Sequence, residues 1–322
     1  MEKIVEILKK NNNFVIAGHT SPDGDAIGSC FGLGLALSKL GKNVQVVLDK
    51  FSDKYAVIPG KHLLSPVNQV NKYDVFVAVD CASDDRLGNT KKLFSKAPVT
   101  VCIDHHETNM GFAEHNFIET EASSTSELVY RIVKQIVEID INIGSALYAG
   151  MVSDTGGFRF NATAKSTMET AAKLMDIGIP FTDIYNELMH KHSFVAGKAL
   201  GLAIDNSVMA ENGLAIYTCI KESEMDLIGA EPSDLDGVVE YLMGTRGVLV
   251  AALLHERVKT NIVKISLRSG GYNVSSIATV LGGGGHKMAA GADFKGTMDE
   301  ALEKTLCLIR KDLIMYDQTR CN

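Results

Sequence analysis

Apolar residues in the first hundred positions fall in short unbroken runs separated by helical patterns. Phe14–Gly18, Val44–Leu48, Val75–Val79 and Val99–Ile103 are such runs. Their length and lack of alternation predict strands buried on both faces, as in a parallel sheet. Glu2–Lys10 and Asp25–Leu40 instead repeat their apolar residues at helical spacing. From Thr125 onward the pattern is helical, over Thr125–Val137, Ile143–Val152 and Thr163–Ile177, with Gly178 as a stop and Pro180 just beyond it.

A second βα pattern follows a helical connecting segment, Phe181–Ala203. Strands are predicted at Gly213–Ile220, Val248–His255 and Asn261–Arg268, and helices at Asp234–Met243, Val274–Leu281 and Met298–Lys311. The fold class is α/β. A parallel sheet wound by helices (residues 1–185) is joined by a helical linker (186–205) to a smaller α/β domain (206–322).

Composition narrows the partners. The 322 residues suffice for two cores, and 46% apolar with 22% charged content describes an ordinary folded chain. A net charge of −7 argues against a protein that grips a long polyanion, so small substrates are favoured over long duplex nucleic acid. The N-terminus carries no signal-peptide pattern, and the longest apolar runs, such as Val248–Leu254, are too short to cross a bilayer. The expectation is a soluble cytoplasmic protein. Six scattered cysteines without a Cys-x-x-Cys pair agree with a reducing compartment.

Chemistry gathers just after the predicted strands. His19-Thr-Ser-Pro-Asp23-Gly-Asp25 follows the first strand, Asp80 the third and Asp104-His105-His106 the fourth, while Asp154 lies beyond a helix in Ser153-Asp-Thr-Gly-Gly157. The carboxyl ends of parallel strands are where open α/β sheets bind ligands. Pro22 keeps the turn open, and Gly24 lets both flanking carboxylates face one point. Asp25 has a competing reading as the N-cap of the helix that follows it. So many carboxylates and imidazoles in one place need a counter-charge, which a pair of divalent cations supplies. Mixed nitrogen and oxygen ligands suit manganese first, with magnesium, cobalt or iron as alternatives.

These four motifs, in this order, resemble those of the DHH-family phosphoesterases, and the match covers nearly the whole chain. The likeness is greatest to the stand-alone members that act as nanoRNases and 3′-phosphoadenosine 5′-phosphate (pAp) phosphatases. The resemblance implies one ion among His19, Asp23, Asp80 and Asp154, a second among Asp25, Asp80, His105 and Asp154, and Asp80 between them. It also implies that His106 lies near the scissile phosphate, assisted by Asp104.

A second motif is Gly282-Gly-Gly-Gly285-His286-Lys287 after a predicted helix. Bare backbone N–H groups there can form an anion nest. The run lacks the spacing of a P-loop or a dinucleotide fingerprint. It resembles the Gly-Gly-Gly-His motif of the DHHA1 domain, whose Arg-Ser pair matches Arg268-Ser269. The resemblance implies that Arg268, Ser269, Gly283, Gly284, Gly285 and His286 bind the nucleotide part of the substrate. Phe158 and Arg159 are further candidates for stacking on a base or reaching a phosphate. His190-Lys191-His192 reads as a solvated helix face. The expected activity is hydrolysis of short oligoribonucleotides to mononucleotides, removal of the 3′-phosphate of pAp, or both. The alternatives are a phosphodiesterase for cyclic-di-AMP or its linear form pApA, and a non-catalytic nucleotide binder. The oligomeric state is left open, a dimer included.

Overall fold

The computed structural model describes residues 1–320. The side chains of His286 and of residues 314–320 lie outside that description, as does Cys321. The chain divides into two compact units, Met1–Lys191 and His192–Asn322.

The first unit runs α1 (Glu2–Lys10), β1 (Asn13–Ala17), α2 (Gly24–Lys39), β2 (Asn43–Val47), β3 (Val75–Val79), α3 (Lys91–Phe94), β4 (Val99–Asp104) and β5 (His115–Ile118). It continues through α4 (Thr125–Val133), α5 (Ile141–Asp154), α6 (Lys165–Asp176) and α7 (Phe181–Met189). Its five strands are parallel in the order β2-β1-β3-β4-β5. Both faces are covered, which is why the strands lack alternation. Phe14, Ile16, Val75, Val77 and Val79 face one core, while Val15, Ala17, Phe76 and Ala78 face the other. The chain leaves β1 towards β2 on one side and later towards β3 on the other. That reversal opens a crevice at the carboxyl ends of β1 and β3.

Helices α2 and α5 pack backbone to backbone over this end. A methyl group on Gly28 would lie 2.6 Å from the Ala146 carbonyl oxygen, and one on Gly150 would lie 2.8 Å from Asp25 Oδ1 and closer still to Ser126 Oγ. Glycine at these places lets the two helices that carry Asp25 and Asp154 approach.

The second unit contains α8 (Phe194–Asp205), β6 (Val208–Ala210), β7 (Ala215–Ile220), α9 (Glu222–Ile228), α10 (Val238–Met243), β8 (Val250–Arg257) and β9 (Ile262–Ser269). Then come α11 (Val274–Val280), β10 (Gly284–His286), β11 (Ala289–Lys295) and α12 (Met298–Arg320). Its sheet has the order β10-β11-β9-β8-β7-β6. Only β7 and β8 pair in parallel. One face packs Val250, Ala252, Leu254, Ile265 and Leu267 with residues of α11 and α12. The other packs Ala251 and Leu253 against Ala199 and Ala203 of α8, Met225 of α9 and Val238, Val239 and Leu242 of α10. Helix α8, within the segment read as a linker, is thus part of this second core.

The expected parallel sheet wound by helices and the smaller α/β unit are both present. The differences are local. Strands β5, β6, β10 and β11 were not expected, and the helix expected over Asp234–Met243 breaks at Gly237, whose φ is +86°.

Candidate metal centre

Every metal-ligand candidate of the first unit lies at the crevice end of the sheet. His19 follows β1, Asp80 follows β3, Asp104 closes β4 with His105 and His106 behind it, and Asp154 ends α5. Asp80 has φ +53°, a left-handed conformation that costs a non-glycine residue free energy. Its N–H donates to the Ile103 carbonyl at 3.0 Å, which ties the strained residue to the neighbouring strand.

Asp80 is the hub. Its Oδ2 lies 3.6 Å from His19 Nε2, and its Oδ1 lies 3.7 Å from His105 Nε2 and 3.8 Å from His106 Nδ1. His19 Nε2 is also 3.8 Å from Asp23 Oδ2, and His105 Nε2 is 3.3 Å from Asp154 Oδ2. Three overlapping groups result: His19 with Asp23 and Asp80, Asp25 with His105 and Asp154, and Asp80 with His105 and His106. Within each group the ligand atoms lie within 4.8 Å of one another.

The two aspartates of the first motif divide the capping work in an unexpected way. Asp23, not Asp25, is the N-cap of α2, accepting the N–H groups of Asp25 at 3.0 Å and Ala26 at 3.1 Å. Asp25 is buried, and its two oxygens accept the N–H groups of Thr125 at 2.6 Å and Ser126 at 2.9 Å, at the start of α4. The positive end of that helix stabilises the carboxylate. The Thr125 hydroxyl donates to Asp80 Oδ1 at 3.0 Å.

Hydrogen bonds behind the rings set the tautomers. His105 Nδ1 lies 3.2 Å from the Ala122 carbonyl, so its N–H donates there and leaves the Nε2 lone pair facing Asp80 and Asp154. His19 Nδ1 lies 2.8 Å from the Thr20 carbonyl and 3.1 Å from the Arg86 guanidinium. The carbonyl requires an N–H and the guanidinium a lone pair, so a cation held by Nε2 selects the carbonyl. His106 Nδ1 lies 2.7 Å from Asp104 Oδ1. Asp104 is fully buried, and its other oxygen accepts from Asn109 Nδ2 at 2.6 Å.

Electrostatics describe a cluster built around added positive charge. Burial works against the His19 cation, yet the hydrogen bonds and charges of Asp23 and Asp80 lift its pKa to about 10. Burial and the charges of Asp80 and Asp154 push Asp25 well above the usual carboxylate range. Asp154 rises to about 7, through burial first and then the charges of Asp80 and Asp23, with His105 opposing. These groups are strained as a set of protein charges alone. Imidazole and carboxylate donors at this spacing fit divalent metal ions.

In the second unit, Arg268 is the penultimate residue of β9 and forms an ion pair with Glu240, its Nη2 2.7 Å from Glu240 Oε1. Ser269 is buried, its hydroxyl donating to the Tyr272 carbonyl. Gly284, Gly285 and His286 form β10 and pair with β11, so the glycine run is a turn plus an edge strand rather than a free loop. The side chain of His286 lies outside the described residues. A methyl group on Gly285 would lie 2.6 Å from the Ala289 carbonyl oxygen, and one on Gly283 would meet the Gly291 carbonyl. Gly284 has open space around it, and nothing in the packing demands glycine there. Back in the first unit, Phe158 is half-buried, its ring centroid 5.9 Å from that of Tyr148. The exposed ring is Phe160, with the Arg159 guanidinium 5.4 Å from its centroid.

Sequence reasoning missed Asn109, Thr125, Ser126 and Arg86. Asn109 sits three positions after the Asp-His-His triplet, and its nearness was the one available signal. Thr125 and Ser126 had none, because they reach Asp25 through backbone N–H groups a hundred residues away.

The chain matches the DHH family, N-terminal domain, over residues 13–151 and the DHHA1 domain over residues 216–312. It is 31% identical over 320 residues to the bifunctional oligoribonuclease and PAP phosphatase NrnA of Thermus thermophilus, covering 97% of this chain and 94% of that one. It is 25% identical over 330 residues to the cyclic-di-AMP phosphodiesterase PdeA of Listeria monocytogenes, which spans 95% of this chain and 48% of that protein. Among solved structures, an exopolyphosphatase-related protein from Bacteroides fragilis superposes with a TM-score of 0.91 at 26% identity, covering 100% of this chain and 97% of that one. The two matched domains and the near full-length likeness to the Thermus thermophilus relative show that the chain belongs to the DHH family of phosphoesterases, with a DHHA1 domain in its second unit.

Proposed function

We propose that this protein hydrolyses phosphate esters of short nucleotides, releasing mononucleotides from RNA of about two to five residues and removing the 3′-phosphate of pAp. The observation that carries the reading is the set of three His/Asp groups linked in pairs through Asp80 and His105 at the strand-end crevice. The named activity of the Thermus thermophilus relative, matched over nearly its full length, supports the substrate class.

His19, Asp23, Asp80 and Asp154 would hold one divalent ion, and Asp25, Asp80, His105 and Asp154 a second, with manganese the first choice. When bound, such ions supply Lewis acidity toward the phosphoryl oxygens and the attacking water. The protein's own groups do the rest. Burial disfavours the His106 cation, but the Asp104 hydrogen bond and the charge of Asp80 outweigh it and raise the pKa. That shift favours the protonated ring, and His106 is the group assigned to the departing oxygen. Asp104, charged and locked by Asn109, keeps the Nδ1–H of that ring in place. Arg268 and the bare backbone at Gly284 would receive a neighbouring phosphate of the nucleotide.

A second reading, a phosphodiesterase for pApA or cyclic-di-AMP, draws support from the Listeria monocytogenes relative. Turnover of pAp, pApA, cyclic-di-AMP and a short RNA by one preparation with manganese decides between them. Preferred cleavage of short RNA and pAp supports the first reading, and cyclic-di-AMP as the best substrate replaces it with the second.

A further inference from the structure

The side chain of Arg268 is held on two of its three edges. Nε and Nη2 form the side fork of a guanidinium; Nε donates to Oε1 of Glu240 at 2.8 Å, and Nη2 lies 2.7 Å from that same oxygen in an ion pair. Nη1 donates to the Leu267 carbonyl at 2.9 Å. Among the described residues the end fork, one N–H each on Nη1 and Nη2, meets no other partner. Two parallel N–H groups in that arrangement match two oxygens of one phosphate.

The sheet register shows what lies beside that fork. Arg268 pairs with Ala289 on β11, and Ser266, two residues back on the same face, pairs with Gly291, which in turn pairs with Gly284 on β10. Directly paired residues share a face of the sheet. Between β9 and β10 that face therefore carries only alanine and glycine on β11, with His286 of β10 in register across Ala289 from Arg268 and Gly284 across Gly291 from Ser266. Neighbouring strands stand about 4.8 Å apart, so β9 and β10 leave a bare strip about 10 Å wide, enough for a phosphate. Glu240 reaches Arg268 from α10, which packs on this same face with Ala251 and Leu253.

We propose that Glu240 is a positioning residue of the nucleotide subsite: it fixes Arg268 by the side fork so that the end fork receives a phosphate of the nucleotide. The assignment rests on the reading of Arg268 as a substrate contact. It also makes a distinction by chemistry. A single carboxylate oxygen accepts the Nε bond and faces Nη2, so an amide oxygen at the same place can do the same work. A glutamate that merely neutralised the arginine could not be replaced this way.

Steady-state kinetics on pAp with Glu240→Gln, Glu240→Ala, Arg268→Ala and the Glu240→Ala/Arg268→Ala double variant test this. Glu240 is partly exposed, so the folds should hold, and a thermal midpoint near wild type checks it. Glu240→Gln should keep KM within about twofold, whereas Glu240→Ala should raise it about tenfold with kcat nearly unchanged, as expected when an oriented charge-assisted contact is lost. Adding Glu240→Ala to Arg268→Ala should change KM no further. If Arg268→Ala raises KM but Glu240→Ala leaves it unchanged or lowers it, Glu240 is a bystander or a competitor, and its role is overturned alone. If Arg268→Ala leaves KM unchanged, the arginine is not a substrate contact and both assignments fall.

Discussion

At the scale of single residues, the account turns on Asp80, buried, left-handed and common to two of the three ligand groups. Asp80→Ala should lower hydrolysis by about a thousandfold or more, since metal ligation contributes several kcal/mol to the transition state. Circular dichroism should be unchanged, and near wild-type turnover in manganese would remove the dinuclear site. A residue outside the site gives a pH prediction. His255 is buried, and neither ring nitrogen meets a hydrogen-bond partner among the described residues. Burial, then the charges of Arg257 and Lys264, hold its pKa at about 4 against an ordinary 6.5. Because the unfolded chain binds this proton more readily, the contribution is whole above pH 6.5 and is lost as pH falls toward 4. The loss should reach up to about 3 kcal/mol. His255→Leu should flatten that part of the acid limb in denaturant titrations at several pH values, and an identical slope in both proteins would refute the assignment.

At the scale of elements, the α2–α5 contact sets the spacing of Asp25 and Asp154. Gly150→Ala would drive a methyl group against Ser126 and Asp25. It should therefore cost about 1–3 kcal/mol of stability and weaken metal affinity together. Affinity by calorimetry at wild-type levels would show that the contact does not position the ligands. The glycine run separates in the same way. Gly284→Ala, with open space around it, should leave the thermal midpoint intact and raise KM, while Gly283→Ala should destabilise the β10–β11 pairing. Legibility followed the same physics. Strands β1, β3 and β4 were plain because both faces are buried, and their acidic ends exposed the site. Strand β5 is only half-buried and β11 begins Ala-Ala-Gly-Ala, so neither carried a hydrophobic signal. The cap that the sequence offers Asp25 as a competing reading belongs to Asp23, because the helix whose N-terminus Asp25 serves is distant in sequence.

At the scale of the whole molecule, the chain joins a charge-dense catalytic unit to one whose candidate subsite is a bare strip of sheet beside an arginine. The net charge of −7 supports the proposed preference for small anions over a long polyanion. No helix among the described residues is long and apolar enough to cross a membrane. The central claim is that two divalent ions held around Asp80 drive hydrolysis of a short nucleotide. The direct measurement is adenosine 5′-phosphate release from pAp by chelator-treated protein during manganese titration, with bound metal counted in parallel. The account predicts negligible turnover without metal and recovery that saturates at two ions per chain. Full turnover in the presence of chelator, or recovery complete at one ion, would contradict it.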